Sequence, residues 1–223
     1  SLLESRGHKF VRYADDCNIY VKSRRAAQRV MASCVSYLER KLRLRVNREK
    51  SCIGSPMKLK FLGFSLCTTK GKVGIRVHPK SLKRLKNSIR SLTSRKHGRS
   101  ITNTLLILRR YTTGWLGYYS IADMRSNMRD ISEWTRRRIR QIYWKQWKRI
   151  RARQENLVKL GIDENQAWQW ANSRLGYWRI AGSWILNRSL TNKYLVSQGY
   201  DDISERYEAK RLSYRTAVYR TVR

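Results

Sequence analysis

The sequence predicts an α+β N-terminal part, residues 1–78, followed by a chain that is helical to its end. Short β-prone runs separated by tight turns fill the first 78 residues. Beyond Pro79, apolar residues recur at steps of three and four, which is the spacing of amphipathic helices. Hydrophobic residues make up 41% of the 223, with eight Trp and thirteen Tyr, so the chain has material for a packed core.

The first predicted element is a β-hairpin close to the N-terminus. Residues 10–13 and 17–21 are β-prone, and they flank the short segment 14–16, Ala-Asp-Asp. Asp residues are common in turns, because their side chains bond to nearby backbone groups. The pattern therefore predicts two short strands with the acidic pair at the tip.

A helix and a second hairpin complete the first part. Apolar residues recur at helical spacing over residues 27–42, about four turns. Two further β-prone runs, 61–66 and 73–77, enclose a segment in which Gly71 serves the turn. We expect the hairpin, helix and second hairpin to pack as one α+β part.

The second part contains a series of predicted helices. By apolar spacing they span about residues 82–92, 101–118, 130–160, 163–175, 190–195 and 204–217. The helix at 101–118 is expected to break near Gly114 and Gly117. Asp163, with Gln166 three residues later, is a plausible capping box for the fourth helix.

The charge of the chain indicates a polyanionic partner. Lys and Arg number 50 against 15 Asp and Glu, a net charge of +35, and nucleic acid is the abundant polyanion in cells. Sixteen Lys and Arg and no acid lie between Glu49 and Asp123, and nine more interleave with aromatic residues from Trp134 to Arg153. Basic residues hold a phosphate backbone while an aromatic ring stacks on a base. A solvated basic face over an aromatic core also accounts for this pattern.

Several classes of protein are excluded. No run of eighteen apolar residues exists, so we expect no membrane span and no membrane partner. The N-terminal residues lack the pattern of a signal peptide. The four cysteines never form a C-x-x-C and the three histidines pair with none of them at zinc-finger spacing. We therefore expect reduced thiols in a cytosolic protein.

Asp15 and Asp16 are adjacent acids in a strongly basic half of the chain. Two carboxylates in a positive field are expected to be ionised and suited to a divalent metal. Paired metal ions can bridge the attacking and leaving oxygens of a phosphoryl transfer. Because Asp-Asp also suits an ordinary turn, the two residues by themselves leave a metal site and a structural turn open.

Three motifs in order give the chain a family resemblance. Segment 10–16 reads Phe-Val-Arg-Tyr-Ala-Asp-Asp, 44–51 reads Leu-Arg-Val-Asn-Arg-Glu-Lys-Ser and 61–64 reads Phe-Leu-Gly-Phe. They are similar to the Tyr-Ala-Asp-Asp signature, the Leu-x-x-Asn-x-x-Lys-Thr/Ser block and the primer-grip block of reverse transcriptases. With Gly-Trp-Leu-Gly-Tyr at 114–118, the whole chain resembles a bacterial group II intron-encoded reverse transcriptase/maturase of class C.

The resemblance implies a fold and three domains. Residues 1–78 would be the C-terminal part of a right-hand polymerase palm, 79–153 the thumb, called domain X in maturases, and 154–223 a helical DNA-binding tail. The implied partners are group II intron RNA, an RNA template with a DNA or RNA primer, and target DNA, in the bacterial cytoplasm. The family's fingers and first palm aspartate would lie upstream. We therefore expect the chain to be an inactive C-terminal portion of an RNA-directed DNA polymerase, with the N-terminal half as a further partner.

The resemblance also implies site residues. Asp15 would ligate Mg²⁺ and Asp16 would support it, as the catalytic residues of a two-metal site that is incomplete in this chain. The primer- and nucleotide-binding positions would be Tyr13, Ala14, Asn47, Lys50, Phe61, Leu62 and Gly63. For Phe61, an ordinary place in a strand core fits equally well.

In the helical part, the basic residues of the segment 134–153 are the predicted nucleic-acid ligands. They are Arg136, Arg137, Arg138, Arg140, Lys145, Lys148 and Arg149. The alternative function is a non-catalytic RNA-binding maturase fragment that assists intron folding and splicing. A regulator that reads duplex DNA is disfavoured, because we find no helix-turn-helix signature.

Overall fold

The structure, a computed structural model, describes the backbone of residues 2–69 and 71–221 and the side chains of residues 2–68 and 71–214. The chain separates into two compact units, Ser1–His78 and Pro79–Arg223, which we call the first and second units. Strands occur in the first unit, and the described elements of the second are helices, so the predicted α+β class is confirmed. Among the described helices, none combines the length and apolar character that a membrane span requires.

The first unit consists of two hairpins around one helix. Its elements are α1 (Leu2–Ser5), β1 (Lys9–Tyr13), β2 (Asp16–Tyr20), α2 (Arg24–Ser36) with a π-helical turn at Tyr37–Lys41, β3 (Phe64–Thr69) and β4 (Lys72–Val77). β1 pairs with β2 and β3 with β4, both antiparallel. Both predicted hairpins and the helix between them are confirmed. Helix α2 begins at a Ser23 cap, whose hydroxyl accepts a hydrogen bond from the Ala26 amide (3.2 Å).

The second hairpin differs from its prediction at one end. The run 61–66 is predicted as strand, but Phe61 and Phe64 exchange two 2.9 Å backbone hydrogen bonds around Leu62 and Gly63. The φ angles of these two residues are 51° and 87°, as in a type I′ turn. Leucine rarely adopts a positive φ, so the apolar residues of this segment predicted a strand and not a turn.

The first unit buries few side chains. Among its described residues only Gly63, Ser65 and Val77 are buried. Val11, Tyr13 and other apolar residues of the strands are exposed instead. The two small sheets therefore present open apolar faces.

The second unit is built from nine described helices. They are α3 (Pro79–Leu92), α4 (Ile101–Tyr119), α5 (Arg125–Gln146), α6 (Ile150–Lys159), α7 (Glu164–Ala171), α8 (Tyr177–Ile180), α9 (Trp184–Ser189), α10 (Asn192–Ser197) and α11 (Ile203–Thr221). The predicted break of the helix at 101–118 is wrong, because α4 runs unbroken through Gly114 and Gly117. Buried Leu105, Leu108 and Leu116 hold its inner face against the core.

The predicted single helix at 130–160 is two helices in the structure. Trp147 ends α5 with φ −76° and ψ 69°, and α6 begins at Ile150. The Arg153 side chain donates to the carbonyl of Trp147 (3.0 Å), which satisfies one group at this break. The predicted cap at Asp163 is confirmed, since its carboxylate accepts from the amides of Asn165 (3.1 Å) and Gln166 (3.2 Å).

Helix α5 is the centre of the second unit. It contributes ten buried residues, among them Met128, Ile139 and Trp144. Tyr207 of α11 is buried beside it, and its hydroxyl donates to the carbonyl of Ala122 (2.9 Å). Because one side of α5 is buried against its neighbours, polar side chains on that side depend on partners inside the protein.

Candidate active site and nucleic-acid interface

The first hairpin presents the acidic pair at its tip. Tyr13 and Asp16 are paired across the strands, and Ala14 and Asp15 form the turn between them. The φ of Ala14 is 52°, in the left-handed region that favours glycine, so the turn carries local strain. The Arg12 side chain donates to the carbonyl of Ala14 (2.9 Å) and holds the turn. Sequence reasoning missed this role of Arg12.

Asp15 and Asp16 are both exposed to solvent. Carboxylate oxygens are the ligands that Mg²⁺ prefers, so the chemistry of the pair fits a metal site. Within the described part of the chain, no group of three or more His, Cys, Asp and Glu residues is arranged to hold a metal. The hairpin thus offers two carboxylates, and a metal bound there takes its remaining oxygen ligands from elsewhere.

The strand register separates two faces of the hairpin. Tyr13 pairs with Asp16 and Val11 with Asn18, so these four residues share one face. On this face the exposed apolar side chains of Val11 and Tyr13 lie on the same side of the hairpin as the carboxylate of Asp16. Cys17 belongs to the opposite face, and burial raises the pKa of its thiol.

Asn47 and Lys50 lie in one turn after the π-helical segment. The amide of Lys50 donates to the side-chain oxygen of Asn47 (3.1 Å), and the amide of Ser51 donates to its carbonyl (3.0 Å). Asn47 therefore builds the turn, and the exposed Lys50 side chain extends from it. Phe61, Leu62 and Gly63 meet in the type I′ turn described above.

Four of the predicted nucleic-acid ligands, all arginines of α5, make hydrogen bonds inside the second unit. Arg138 donates to the hydroxyl of Thr93 (2.6 Å) and the carbonyl of Arg90 (2.9 Å), at the C-terminal end of α3. Its guanidinium also lies over the Trp134 ring, 5.1 Å from the centroid. Burial lowers the pKa of Arg138, and the nearby charge of Arg90 adds to this effect.

Arg140 is 7% exposed and ties α5 to the end of α9. It donates to the carbonyl of Leu190 (2.9 Å) and the side-chain oxygen of Asn192 (3.1 Å). Burial lowers its pKa to about 10, with a further contribution from Arg136. Leu190 is the C-cap residue of α9. Its carbonyl has no partner within the helix, and the guanidinium of Arg140 supplies one.

Arg136 ties α5 to the start of α11. Its guanidinium pairs with Asp202 at 2.5 Å, and the hydroxyl of Ser132 donates to the same carboxylate (2.7 Å). Asp202 also accepts from the amide of Ser204 (2.9 Å), at the first turn of α11. Tyr200 shares this buried network, and burial raises the pKa of its hydroxyl.

Arg137 ties α5 to α8. It donates to the carbonyl of Trp178 (2.8 Å), and its guanidinium lies 4.1 Å from the centroid of that ring. A Cβ on Gly182 would stand 2.5 Å from the guanidinium carbon, so a larger residue here would displace the Arg137 side chain from this position. The four arginines together hold α3, α8, α9 and α11 against one central helix.

The other three predicted ligands lie around the break between α5 and α6. Lys148 and Arg149 are exposed and Lys145 is half-buried. These cations are open to a phosphate backbone. Whether any of the seven residues contacts nucleic acid remains a prediction, but the internal contacts of the four arginines went unseen in the sequence. The signal for them in the sequence was the spacing of the four arginines, which covers more than one turn of a helix, so that they cannot all face the same phosphates.

Two family models match the chain. Residues 1–66, which contain both the Asp-Asp hairpin and the Leu62-Gly63 turn, match the model described as reverse transcriptase (RNA-dependent DNA polymerase). Residues 82–161, from α3 to the end of α6, match the group II intron, maturase-specific domain. No curated protein matches the chain. With a reverse transcriptase segment followed by a maturase domain, the protein belongs to the family of intron-encoded reverse transcriptases/maturases.

Proposed function

We propose that this chain supplies the metal-binding hairpin for RNA-directed DNA synthesis and holds intron RNA and template–primer. The observation that carries the proposal is the strained turn that presents Asp15 and Asp16 within the segment that matches reverse transcriptases. Mg²⁺, when bound, stabilises the negative charge that develops on the transferred phosphoryl group. Asp15 and Asp16 would hold it, and Arg12 keeps their turn in shape.

The neighbouring residues have proposed positioning roles. Tyr13 and Ala14 form a floor beside the primer terminus, and the turn at 61–63 contacts the primer end. The exposed ammonium of Lys50 neutralises a phosphate of the incoming nucleotide or template, while Asn47 holds the turn that projects it. Lys145, Lys148 and Arg149 bind the phosphate backbone without reading its sequence.

The domain roles follow the same proposal. Residues 1–78 act as the end of the palm, 79–153 as the thumb and 154–223 as a DNA-binding tail. The bacterial, class C origin rests on the resemblance of the whole chain: the order and spacing of its motifs, the basic helical remainder and the residues 114–118. A further carboxylate, from an N-terminal palm and fingers, completes the two-metal site, so we expect no synthesis by residues 1–223 without that half.

The test is reconstitution with the missing half. The chain is joined to the fingers and first palm blocks of a group II intron reverse transcriptase and assayed for primer extension with Mg²⁺. Asp15→Asn should lower the extension rate at least about 100-fold, because the amide keeps the shape but loses the anionic ligand. Template–primer affinity should be unchanged, and Asp16→Asn should be less damaging.

Glu49→Gln is the matched control, because Glu49 is another exposed acid of the first unit. It should leave extension unchanged. Full synthesis by the Asp15→Asn enzyme would show that the hairpin is not the metal site. Improved intron splicing without any extension in the wild-type fusion would favour the RNA-binding maturase fragment instead.

A further inference from the structure

Every exposed tryptophan among the described side chains lies between residues 168 and 184. Trp168 is 57% exposed, Trp178 38% and Trp184 48%. The other five tryptophans are half-buried or buried. Tryptophan is normally largely buried, because an exposed indole ring loses the hydrophobic stabilisation that burial of its large apolar surface provides. Three exposed rings within one segment, beyond the last residue of either matched family model, therefore need an explanation.

Two of the three rings are held by their neighbours. Trp184 packs edge-to-face against Trp170, with ring centroids 5.9 Å apart, which joins α9 to α7. Trp178 is covered on one face by the guanidinium of Arg137, which Gly182 accommodates. Rings that are held in this way and remain exposed are preorganised to stack with a ligand. We use the name tryptophan surface for the exposed parts of Trp168, Trp178 and Trp184 taken together.

The segment that follows Glu164 and carries the three rings is basic. Between Glu164 and Asp201 the chain contains four basic residues and no acid. All four are exposed: Arg174, Arg179, Arg188 and Lys193. A second copy of this chain would bring the same positive charge and be repelled. A polyanion with flat aromatic groups fits both features.

We infer that the tryptophan surface binds an unpaired nucleic-acid strand by stacking its bases on the three indoles. The exposed cations neutralise the phosphates of that strand. In a duplex the faces of the bases are covered by their neighbours, so indoles gain little there, whereas a single strand offers free base faces. This inference rests on the proposed function only in that the chain acts on nucleic acid. It assigns the segment a single-strand subsite.

The test compares full-length variants by anisotropy of labelled oligonucleotides of about 12 nucleotides. Replacing Trp168, Trp178 and Trp184 together with Ala should weaken binding to oligo-dT or oligo-U at least about tenfold. Replacing all three with Phe should restore most of the affinity, since a smaller ring still stacks. Val158→Ala, an exposed apolar change elsewhere in the unit, should have no effect. The oligomer that binds more tightly, oligo-dT or oligo-U, shows whether the protein prefers DNA or RNA.

An abasic oligomer of equal length separates stacking from charge. It should bind the wild type and the Ala variant equally, because it offers phosphates without bases. Equal loss on abasic and normal oligomers, unchanged binding of oligo-dT and oligo-U, or loss of a dimer seen by sedimentation would each overturn the inference. Circular dichroism of the Phe variant guards against unfolding. Template–primer duplex binding and primer extension are measured separately, so a failure there counts against the proposed function alone.

Discussion

Individual arginines act in this protein as internal ties. A guanidinium carries five donors in a rigid fork, which lets one side chain bond a carbonyl and a second oxygen on another element. Arg138 and Arg140 both use this geometry at helix C-terminal ends, where carbonyls lack intrahelical partners. A cationic residue that appears suited to RNA is therefore committed to holding the fold.

Arg140→Gln tests this role at one residue. It should lower the free energy of unfolding of the second unit by about 2–4 kcal/mol, because a buried carbonyl and amide oxygen lose charged donors. Urea unfolding measured by tryptophan fluorescence gives the value. Arg149→Gln, at an exposed site, should change stability by less than about 0.5 kcal/mol. Equal effects of the two changes would contradict the assignment.

Gly63 is a second residue whose conformation matters more than its contacts. Gly63→Ala should destabilise the second hairpin by about 1–2 kcal/mol, because its φ of 87° is unfavourable for a residue with a Cβ. Faster amide exchange in β3 and β4 would report the loss. Gly74→Ala is the control in the same hairpin, since its Cβ would meet only Cys67 Sγ, at 3.5 Å. A hairpin indifferent to Gly63→Ala would argue against the turn.

At the scale of elements, packing overrides local propensity in α4. Two glycines in a helix interior weaken it by roughly 0.5–1 kcal/mol each, yet the helix is continuous. Burial of its leucines and hydrogen bonds from α11 offset this loss of helix stability. The hydroxyls of Thr112 and Thr113 both accept from Arg206 of α11.

Gly114→Ala should therefore stabilise the second unit by about 0.5–1 kcal/mol. The space that an added Cβ would occupy is open, so no clash offsets the gain in helix propensity. Thermal unfolding measures the shift. Gly161→Ala should instead be destabilising, because that glycine ends α6 with φ 84°. A loss of stability in Gly114→Ala would show that the helix needs the glycine.

At the scale of the whole molecule, the two units differ in how much they bury. Among the side chains that the structure describes, the second unit contains nearly all of the buried apolar residues, and the first contributes Val77 alone to that set. Two-stranded sheets are marginal in water unless another layer covers them. The stability of the chain therefore resides in the helical unit.

Separate expression of the two units tests this difference. Residues 79–223 should unfold in one cooperative transition, whereas residues 1–78 should show no sharp transition, because they lack a buried core. Circular dichroism melting and the dispersion of amide proton signals distinguish the two. A sharp transition in residues 1–78 would mean that the hairpins and α2 form a core of their own.

Much of the fold and part of the site could be predicted from the sequence. The first hairpin with Asp15 and Asp16 at its tip, the helix α2 and the cap at Asp163 all follow from local signals: turn residues, apolar spacing and capping side chains. The turn at Leu62, the continuity of α4 and the break at Trp147 did not follow. At these three places long-range packing decides the backbone conformation, and the local preference of the neighbouring residues does not.

The sequence by itself determined the class of fold, the acidic tip, the polyanionic character of the partner and the motifs of the family. The tertiary structure alone decided which cations face inward and which rings face outward. Arginines between residues 136 and 140 have a charge that suits an exposed position, and tryptophans between 168 and 184 have an apolar ring that suits a buried one, but Arg140 is buried and Trp184 is exposed. The physical reason is that a side chain's partner depends on which helix ends and surfaces approach it, and residues about 50 to 70 positions away supply those for α5.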